Sequence, residues 1–379
     1  MSINIYPKAS ATLPNYLIAF LLHSNQVGVG VLGFQRYIVK ESGHDAWISV
    51  IIGGLLAHLT LWVMIKTLQR YPSSDLFGIH ADVYGKRLGG IVSLVFIIYF
   101  MLSALIVLRS YIEIVQTWLF PEVSTWTFAL VFLFLVFYTV NGGIRVIAGY
   151  TFITVLLAIW LLVGMIFPLQ YAKWIYLFPM FSSGLKELVS GALAMALTMS
   201  GFEIIYVLFP FVQNKERIGY HSQLALSFTN LLYLILMLVS LVFFSHDQLM
   251  KTIWASLSME KMVRFSFLER FEFIAVSIWL FVIMPNLMLF MWSTVRGIKR
   301  LVGWNQRKTL VVIMLIIFGA CLLADTRQEI NMINTYFSKI SLIVTFAYPF
   351  FLYFLVVIKQ SWQKRKDGQS NEVSSRSEG

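Results

Sequence analysis

Ten mostly apolar stretches, each close to the roughly 20 residues that a helix needs to cross a bilayer, run through this 379-residue chain. Short connections join most of them, which leaves no room for a separate soluble domain. The pattern predicts an all-α integral membrane protein with ten transmembrane helices. The predicted spans are Leu13–Gly33, Ala46–Ile65, Gly90–Leu108, Thr125–Val140, Ile144–Phe167, Leu188–Phe211, Leu224–Phe244, Phe273–Met291, Leu310–Leu323 and Ile340–Ile358.

The composition agrees with this class of protein. Apolar residues make up 59% of the chain and charged residues only 12%, against about 25% charged in soluble domains. A water-soluble globule could not hide so much apolar surface. The single cysteine, Cys321, excludes an intramolecular disulfide framework and a cysteine-based metal cluster.

The basic excess of +11 is explained by topology. With the N-terminus placed in the cytoplasm, the inner segments hold 18 of the 29 Lys and Arg and six acidic residues. The outer segments hold 11 of each, and Glu203 is left within a span. The positive-inside rule then places both termini in the cytoplasm, beside the headgroups of the lipid bilayer. Nucleic acid is therefore not an expected partner.

The spans divide the chain into two halves of five. We expect a ten-helix domain over residues 1–359, with repeats at about 12–168 and 186–358. The last 20 residues are basic, then serine-rich, with little apolar content, which predicts a disordered cytoplasmic tail over 360–379.

The first span contains three glycines within six residues, Gly28, Gly30 and Gly33, preceded by four polar side chains. Glycine weakens a helix, and non-helical backbone at membrane depth is tolerated only where protein or a polar cavity satisfies it. Close helix packing through small residues is the other interpretation, but that motif favours a spacing of four. The spacing of two and three favours an unwound segment.

The sixth span has a matching irregularity at Thr198-Met-Ser200-Gly201-Phe-Glu203, followed by Pro210. A carboxylate is costly in lipid, so Glu203 should face the bundle interior. It could bind the amides of its own broken helix, or it could serve a ligand or a proton. Interrupted helices in corresponding positions of two halves are the best sequence pointer to a midplane binding site. Half-helix ends and unwound carbonyls there could hold the two charged groups of a free amino acid.

The motifs resemble those of one known family. They are Gln26-Val-Gly-Val-Gly-Val-Leu-Gly33, Gly43-His-Asp-Ala-Trp-Ile48, Tyr71-Pro72, Gly201-Phe-Glu-Ile204 and Phe267-Leu-Glu-Arg-Phe-Glu272. Together they resemble the B subunit of spore germinant receptors (the GerAB-like family), within the amino acid–polyamine–organocation transporter superfamily. The resemblance runs from Thr12 to about Ile358.

That resemblance implies a LeuT-like 5+5 inverted repeat with broken helices 1 and 6. It also implies a protein of the spore inner membrane in an endospore-forming bacterium, beside an A subunit and a lipoprotein C subunit. Members are thought to sense a small nutrient, often an amino acid, and to trigger germination. Recognition would then involve the backbone at Gly28, Gly30, Ser200 and Gly201, with Tyr99, Glu203 and span eight shaping selectivity.

One departure from transporters of the superfamily favours a sensor over a pump. Proton-coupled relatives carry a lysine in span five that stands in for sodium, whereas span five here has only Arg145, at its inner end. Span eight offers a single hydroxyl, Ser277, and its middle reads Met284-Pro-Asn286-Leu, which predicts a further local break.

Several side chains keep two interpretations. Tyr99 could close over a ligand or simply pack in the bundle, and Asn286 could cap a broken turn or line a pocket. The six histidines are spaced unlike metal ligands, and the chain has no catalytic motif, so neither a metal, a cofactor nor an enzyme is predicted. The alternatives to a nutrient sensor are a proton- or ion-coupled amino-acid permease and a water or ion channel acting in germination.

Overall fold

The computed structural model describes residues 2–263, 271–324 and 326–377, with side chains up to residue 363. The described residues form helices and connections, and they contain one isolated bridge, between Leu13 and Val212, but no β-strand. The helices are α1 (Leu17–Gln26), α2 (Gln35–Ser42), α3 (Ala46–Gln69), α4 (Leu76–Val83), α5 (Gly85–Trp118), α6 (Thr125–Asn141), α7 (Ile144–Gly164), α8 (Ile166–Leu169), α9 (Leu185–Ala194), α10 (Ala196–Met199), α11 (Ile205–Leu208), α12 (Ile218–Phe243), α13 (His246–Lys251), α14 (Ala255–Glu260), α15 (Phe271–Val302), α16 (Gln306–Cys321), α17 (Arg327–Ser341) and α18 (Tyr348–Ser377).

Within the residues that the structure describes, six helical stretches are long and apolar enough to cross a membrane, and a seventh candidate is a bent pair. The six are Gln35–Gln69, Gly85–Trp118, Ile144–Leu169, Lys215–Phe243, Phe271–Val302 and Arg327–Gln363. The pair is Leu185–Ala194 with Ala196–Phe211, bent by 54°, and Thr125–Asn141 is a shorter apolar helix. The chain is therefore a multi-pass, all-helical membrane protein, and the count of ten spans stays a prediction.

Apolar side chains cover the outside of the bundle as well as its core. Phe134 on α6 and Val163 on α7 are 65% and 58% exposed, as expected where lipid rather than water surrounds the helices. Leu21 and Leu22 on α1 and Ile205 on α11 are fully buried. The first and sixth predicted spans therefore lie at the centre of the bundle, surrounded by the others.

The predicted break in the first span is present. Helix α1 ends at Gln26, Gly28 is extended, and a 3₁₀ turn over Val29–Leu32 leads into α2. The sixth span is interrupted in the same manner: α10 ends at Met199, and a 3₁₀ turn over Phe202–Ile204 precedes α11.

The predicted break in span eight is wrong. Helix α15 runs without interruption from Phe271 to Val302, with Pro285 inside it. Proline removes one backbone hydrogen bond, but this part of α15 is buried on nearly all sides, so packing holds the helix together. An interruption that was not predicted lies in the last span instead, where Leu342–Ala347 forms a π-helix between α17 and α18.

Two predictions concern segments at the edge of what the structure describes. The sequence predicts disorder from Gln360 onwards, whereas the backbone continues as helix to Ser377. The division of the chain into a ten-helix bundle and a C-terminal tail stays a prediction. Of the motif Phe267–Glu272, the first four residues lie outside the described part of the chain.

Candidate functional site

The two interrupted helices are joined to each other through side-chain amides. The Asn25 Nδ2 group donates to the Gly201 carbonyl oxygen at 2.7 Å, and Gln26 Nε2 donates to the Met199 carbonyl oxygen at 2.8 Å. A helix end leaves backbone carbonyls without helical partners, and these amides satisfy two of them. The polar residues at the end of α1 therefore provide hydrogen-bond donors for the break in the sixth span.

Side chains from two further helices complete the same arrangement. Asn286 on α15 donates from Nδ2 to the Ser24 carbonyl oxygen at 2.6 Å. The Tyr233 hydroxyl on α12 lies 3.0 Å from the Gln26 carbonyl oxygen and 3.2 Å from that of Thr198. Backbone carbonyls at the breaks, which the sequence suggests as ammonium ligands, therefore already accept hydrogen bonds, and the Gln26 carbonyl accepts two, from the Tyr233 hydroxyl and from the Gly28 amide.

The glycines at the breaks allow this close approach. Gly201 has φ +114°, a conformation that favours glycine, and a Cβ there would lie 2.3 Å from the Asn25 carbonyl oxygen. A Cβ on Gly28 would lie 2.6 Å from Asn286 Oδ1, and one on Gly30 would lie 3.0 Å from Thr198 Oγ1. A side chain at Gly201 would push the two interrupted helices apart, one at Gly30 would press on Thr198 in the sixth span, and one at Gly28 would displace the Asn286 amide of α15.

Glu203 lies at the start of the second half of the sixth span, fully buried. Its Oε2 accepts a hydrogen bond from the Gly201 amide at 2.6 Å, and its Oε1 accepts one from the Tyr99 hydroxyl at 2.9 Å. That hydroxyl also lies 3.1 Å from Thr345 Oγ1 and 3.3 Å from Ser341 Oγ. The carboxylate therefore binds an amide of its own broken helix, and it joins that break to α5 and to the π-helix.

A cavity of about 500 Å³ lies against the two breaks. Gly28, Gly30, Ser200 and Asn286 line it, so four of the seven predicted site residues share one wall. Tyr99, Gly201 and Glu203 are not among its lining residues, because they lie in the hydrogen-bonded layer behind that wall. Tyr99 therefore supports the site in this structure and does not close over it.

Polar residues that the sequence did not single out also line this cavity. Asn25 Oδ1, Gln26 Oε1 and Asn334 Oδ1 are buried and have no hydrogen-bond partner among the described residues, and all three residues line the cavity. Asn25 and Gln26 were within reach of sequence reasoning, since they directly precede the glycines. Asn334, on α17, lies in a stretch whose polar face has no recognisable motif.

Charged side chains form the outer part of the lining. They are Lys40, Glu41, Glu113, Arg327 and Lys339, and Arg327 forms an ion pair with Glu113. Within the described residues, no group of three or more His, Cys, Asp and Glu side chains could hold a metal ion. The cavity therefore combines amide acceptors near the breaks with charges of both signs farther out.

A family model described as "Spore germination protein" matches residues 12–330. The chain belongs to the spore germination protein family. The sequence resemblance is thereby confirmed, and the family is one of germination proteins rather than enzymes.

Curated members of the family match over most of their length. Spore germination protein GerQB of Bacillus cereus is 37% identical over 333 residues, which is 88% of this chain and 92% of that protein. Spore germination protein A2 of Bacillus subtilis (strain 168) is 22% identical over 90% of this chain and 94% of its own length.

Solved transporters share the fold of this germination protein. A Na⁺-coupled sialic acid symporter, in a substrate-bound outward-open state, superposes with a TM-score of 0.64, covering 90% of this chain and 80% of its own at 10% identity. A manganese transporter of Eremococcus coleocola gives 0.61, with 94% and 88% covered at 13% identity. At such low identity the likeness shows the fold alone, which is that of LeuT-like transporters.

Proposed function

We propose that this chain is the membrane subunit of a spore germinant receptor, which binds a small nutrient in the 500 Å³ cavity and thereby helps to trigger germination. In this proposal the chain crosses the spore inner membrane ten times as a 5+5 inverted repeat, with both termini in the cytoplasm. An A subunit and a C subunit would complete the receptor, as the family resemblance implies.

The observation that carries the proposal is the cavity beside two helix breaks that are hydrogen-bonded to each other. Its volume is in the range of small-molecule sites. A ligand bound there would contact both breaks at once, through Gly28 and Gly30 on one side and Ser200 on the other. Contacts to both elements would make its affinity sensitive to how the two are arranged.

The lining favours a ligand with hydrogen-bond donors, and an amino acid is our first choice. The amide side chains of Asn25, Gln26 and Asn334 line the cavity, and an amide oxygen can accept a hydrogen bond from an ammonium group. A carboxylate could be held by Lys339 or Lys40 in the outer lining. The germinant could equally carry hydroxyl donors, and its identity is a matter for experiment.

The signal would pass from the cavity through the layer behind it. Glu203 and Tyr99 join the sixth-span break to α5 and to Thr345 in the π-helix. A ligand that moves Ser200 would change the geometry at Gly201, whose amide binds Glu203. The bundle would then shift between two arrangements, and the partner subunits would sense the difference.

Gly28→Ala tests the cavity in spores that carry this receptor alone. The added methyl group would lie 2.6 Å from Asn286 Oδ1, so we expect the nutrient response to fall by tenfold or more while the protein accumulates. Gly319→Ala is the matched control, because a Cβ there meets no atom within 4 Å. An unchanged dose–response in the Gly28 variant would falsify the site.

A proton- or ion-coupled permease is the second candidate, and the shared fold of the solved transporters favours it. Uptake of radiolabelled nutrient into proteoliposomes separates the two functions. Concentrative uptake driven by a proton or sodium gradient would support a permease, whereas saturable binding without accumulation would support a sensor.

A further inference from the structure

The connection between α8 and α9 exposes large apolar side chains although it lies between two candidate spans. The preceding span ends at Leu169, and the following one begins at Leu185. Six side chains in this connection, which we call the aromatic loop (residues 171–181), are 38–73% exposed. They are Tyr171, Trp174, Ile175, Phe178, Met180 and Phe181. Exposed apolar surface of this density marks a contact with another molecule or with a membrane.

The aromatic loop lies at the level where three helices begin or end. Helix α7 has 21 residues and therefore rises by about 31 Å, close to the hydrocarbon thickness of a bilayer. Arg145, in its first turn, is bonded to the N-terminal segment, and the loop follows its other end. The Lys173 amide donates to the Val242 carbonyl oxygen in the last turn of α12 at 2.8 Å. His44, just before α3, donates from Nδ1 to the Tyr176 carbonyl oxygen at 2.8 Å. These helix ends place the loop at a bilayer interface.

Asp45 holds the loop in a fixed conformation. Its buried carboxylate accepts hydrogen bonds from the Phe181 amide at 2.6 Å and from the Ser183 amide at 2.8 Å. Phe181 has φ +58°, which bulky residues rarely adopt, so Asp45 rather than local preference keeps the backbone there. The Phe181 ring also packs against Trp47, with centroids 6.1 Å apart. Because the backbone is already ordered, little conformational entropy is lost when another surface covers the loop.

The side chains of the loop have the chemistry of a membrane interface. Tryptophan and tyrosine favour the level of the lipid headgroups, because one end of each side chain is apolar and the other is polar. Lys173 is exposed, with its Nζ 5.6 Å from the centre of the Tyr176 ring, and Lys186 is exposed at the start of α9. Both ammonium groups suit lipid phosphates. The acid that follows, Glu187, lies in the first turn of α9, where the helix dipole stabilises it.

The apolar surface of the loop continues into the lipid-facing surface of the bundle. Ile166 on α8 precedes the loop, Leu185 at the start of α9 follows it, and both are exposed. The lipid that surrounds these two helices therefore borders the loop directly.

We propose that the aromatic loop is inserted into the bilayer interface opposite the N-terminal segment, with Trp174, Ile175 and Phe178 at the boundary between the lipid headgroups and the acyl chains. Interfacial elements of this kind are buried about 5–10 Å into that boundary. Because the loop is bonded to His44 and Asp45, its insertion fixes the corner between α2 and α3 at one depth in the bilayer. That corner follows the break in the first span, so the end of the broken span keeps its position relative to lipid.

The test measures the depth of a spin label in the purified full chain, reconstituted without partner subunits in nanodiscs of phosphatidylcholine and phosphatidylglycerol. The buried Cys321 is first replaced by alanine. A nitroxide is then attached at Trp174→Cys or Ile175→Cys, where the native side chain is exposed, so the label displaces no core packing. Collisions with oxygen, which concentrates among acyl chains, are compared with collisions with a water-soluble nickel chelate. Val163→Cys on α7 is the reference for lipid, and Asp247→Cys on the exposed side of α13 is the reference for water.

We expect the oxygen-to-nickel ratio at both loop positions to be at least about threefold higher than at Asp247 and to approach the ratio at Val163, since an inserted label lies below the headgroups. Ratios at both loop positions that match the Asp247 label would overturn the proposal. Water would then cover the loop in the isolated chain, and the exposed aromatic side chains would be available to a protein partner instead.

Discussion

Glu203 and Tyr99 are separated by 104 residues in the chain and are joined by a hydrogen bond of 2.9 Å inside the bundle. The carboxylate belongs to the break in the sixth span and the phenol belongs to α5, which is continuous. The bond therefore connects the irregular part of the structure to a regular helix. The Tyr99 ring also stacks on Phe337 of α17, with centroids 5.3 Å apart, so the ring would stay in place if its hydroxyl were removed.

Tyr99→Phe should therefore destabilise the protein and weaken its nutrient response. The substitution leaves Glu203 Oε1 without the hydroxyl that donates to it, at a cost of about 1–3 kcal/mol. Tyr111→Phe is the matched control, because its hydroxyl donates to the Val276 carbonyl oxygen at 2.7 Å on another part of α5. Both variants should lose a few degrees in Tm, but only Tyr99→Phe should shift the germination dose–response. Equal dose–responses in the two variants would show that the bond has no part in signalling.

Asn286→Ala should reduce nutrient sensitivity by about tenfold, which corresponds to roughly 1.4 kcal/mol. The amide both lines the cavity and donates to the Ser24 carbonyl oxygen, so its removal frees that carbonyl and enlarges the site. Thr294→Ala on the same helix is the control, since its hydroxyl donates to the Phe290 carbonyl oxygen of its own helix. The half-maximal nutrient concentration for germination is the quantity to compare, with receptor level checked by immunoblot.

Gly201→Ala should destabilise the fold by roughly 2–4 kcal/mol. The φ angle of +114° is unfavourable for alanine, and the added Cβ would lie 2.3 Å from the Asn25 carbonyl oxygen. Gly149→Ala, in α7 with no atom within 4 Å of the added Cβ, should be neutral or stabilising by up to about 1 kcal/mol. Thermal unfolding of both variants in the same lipid provides the comparison, and equal Tm values would contradict it.

The ion pair Arg300–Asp75 should be essential for the stability of the face of the bundle that carries the N-terminal segment. Arg300 Nε lies 3.1 Å from Asp75 Oδ2, with side-chain exposures of 9% and 0%, and its guanidinium also bonds to Ser2. Arg300→Met should cost about 3–5 kcal/mol, because it leaves a buried carboxylate unpaired. Adding Asp75→Asn should recover part of that loss. A double variant no more stable than Arg300→Met would contradict the role of the pair.

The positions of the breaks could be predicted because glycine and a buried acid are conspicuous in an apolar span. Gly28 and Gly201 both lie where the helices stop. The interactions between the breaks could not be predicted in the same way. Asn25 and Gln26 are ordinary polar residues in the sequence, and only the folded chain shows that they reach Gly201 and Met199, more than 170 residues away.

Span eight shows why a local rule can fail. Proline normally ends or bends a helix, but Pro285 lies in a segment enclosed by other helices, and the helix continues through it. The opposite case is the π-helix of the last span, where Ser341 and Thr345 are spaced as on any ordinary α-helix. Neither residue suggests an irregularity in the sequence.

The amide contacts from the first break to the second couple the two interrupted helices, so that they form one structural unit. Neither half-helix can tilt alone, since the Asn25 and Gln26 amides hold the carbonyls of the opposite break. At about 1 kcal/mol for each buried hydrogen bond, breaking both contacts costs about 2 kcal/mol. The differential binding energy that reverses a 1:99 population is about 5.5 kcal/mol. The binding of a single metabolite could supply energy on that scale. One small molecule would therefore be sufficient to change the arrangement of the two interrupted helices, with no contribution from the lipid.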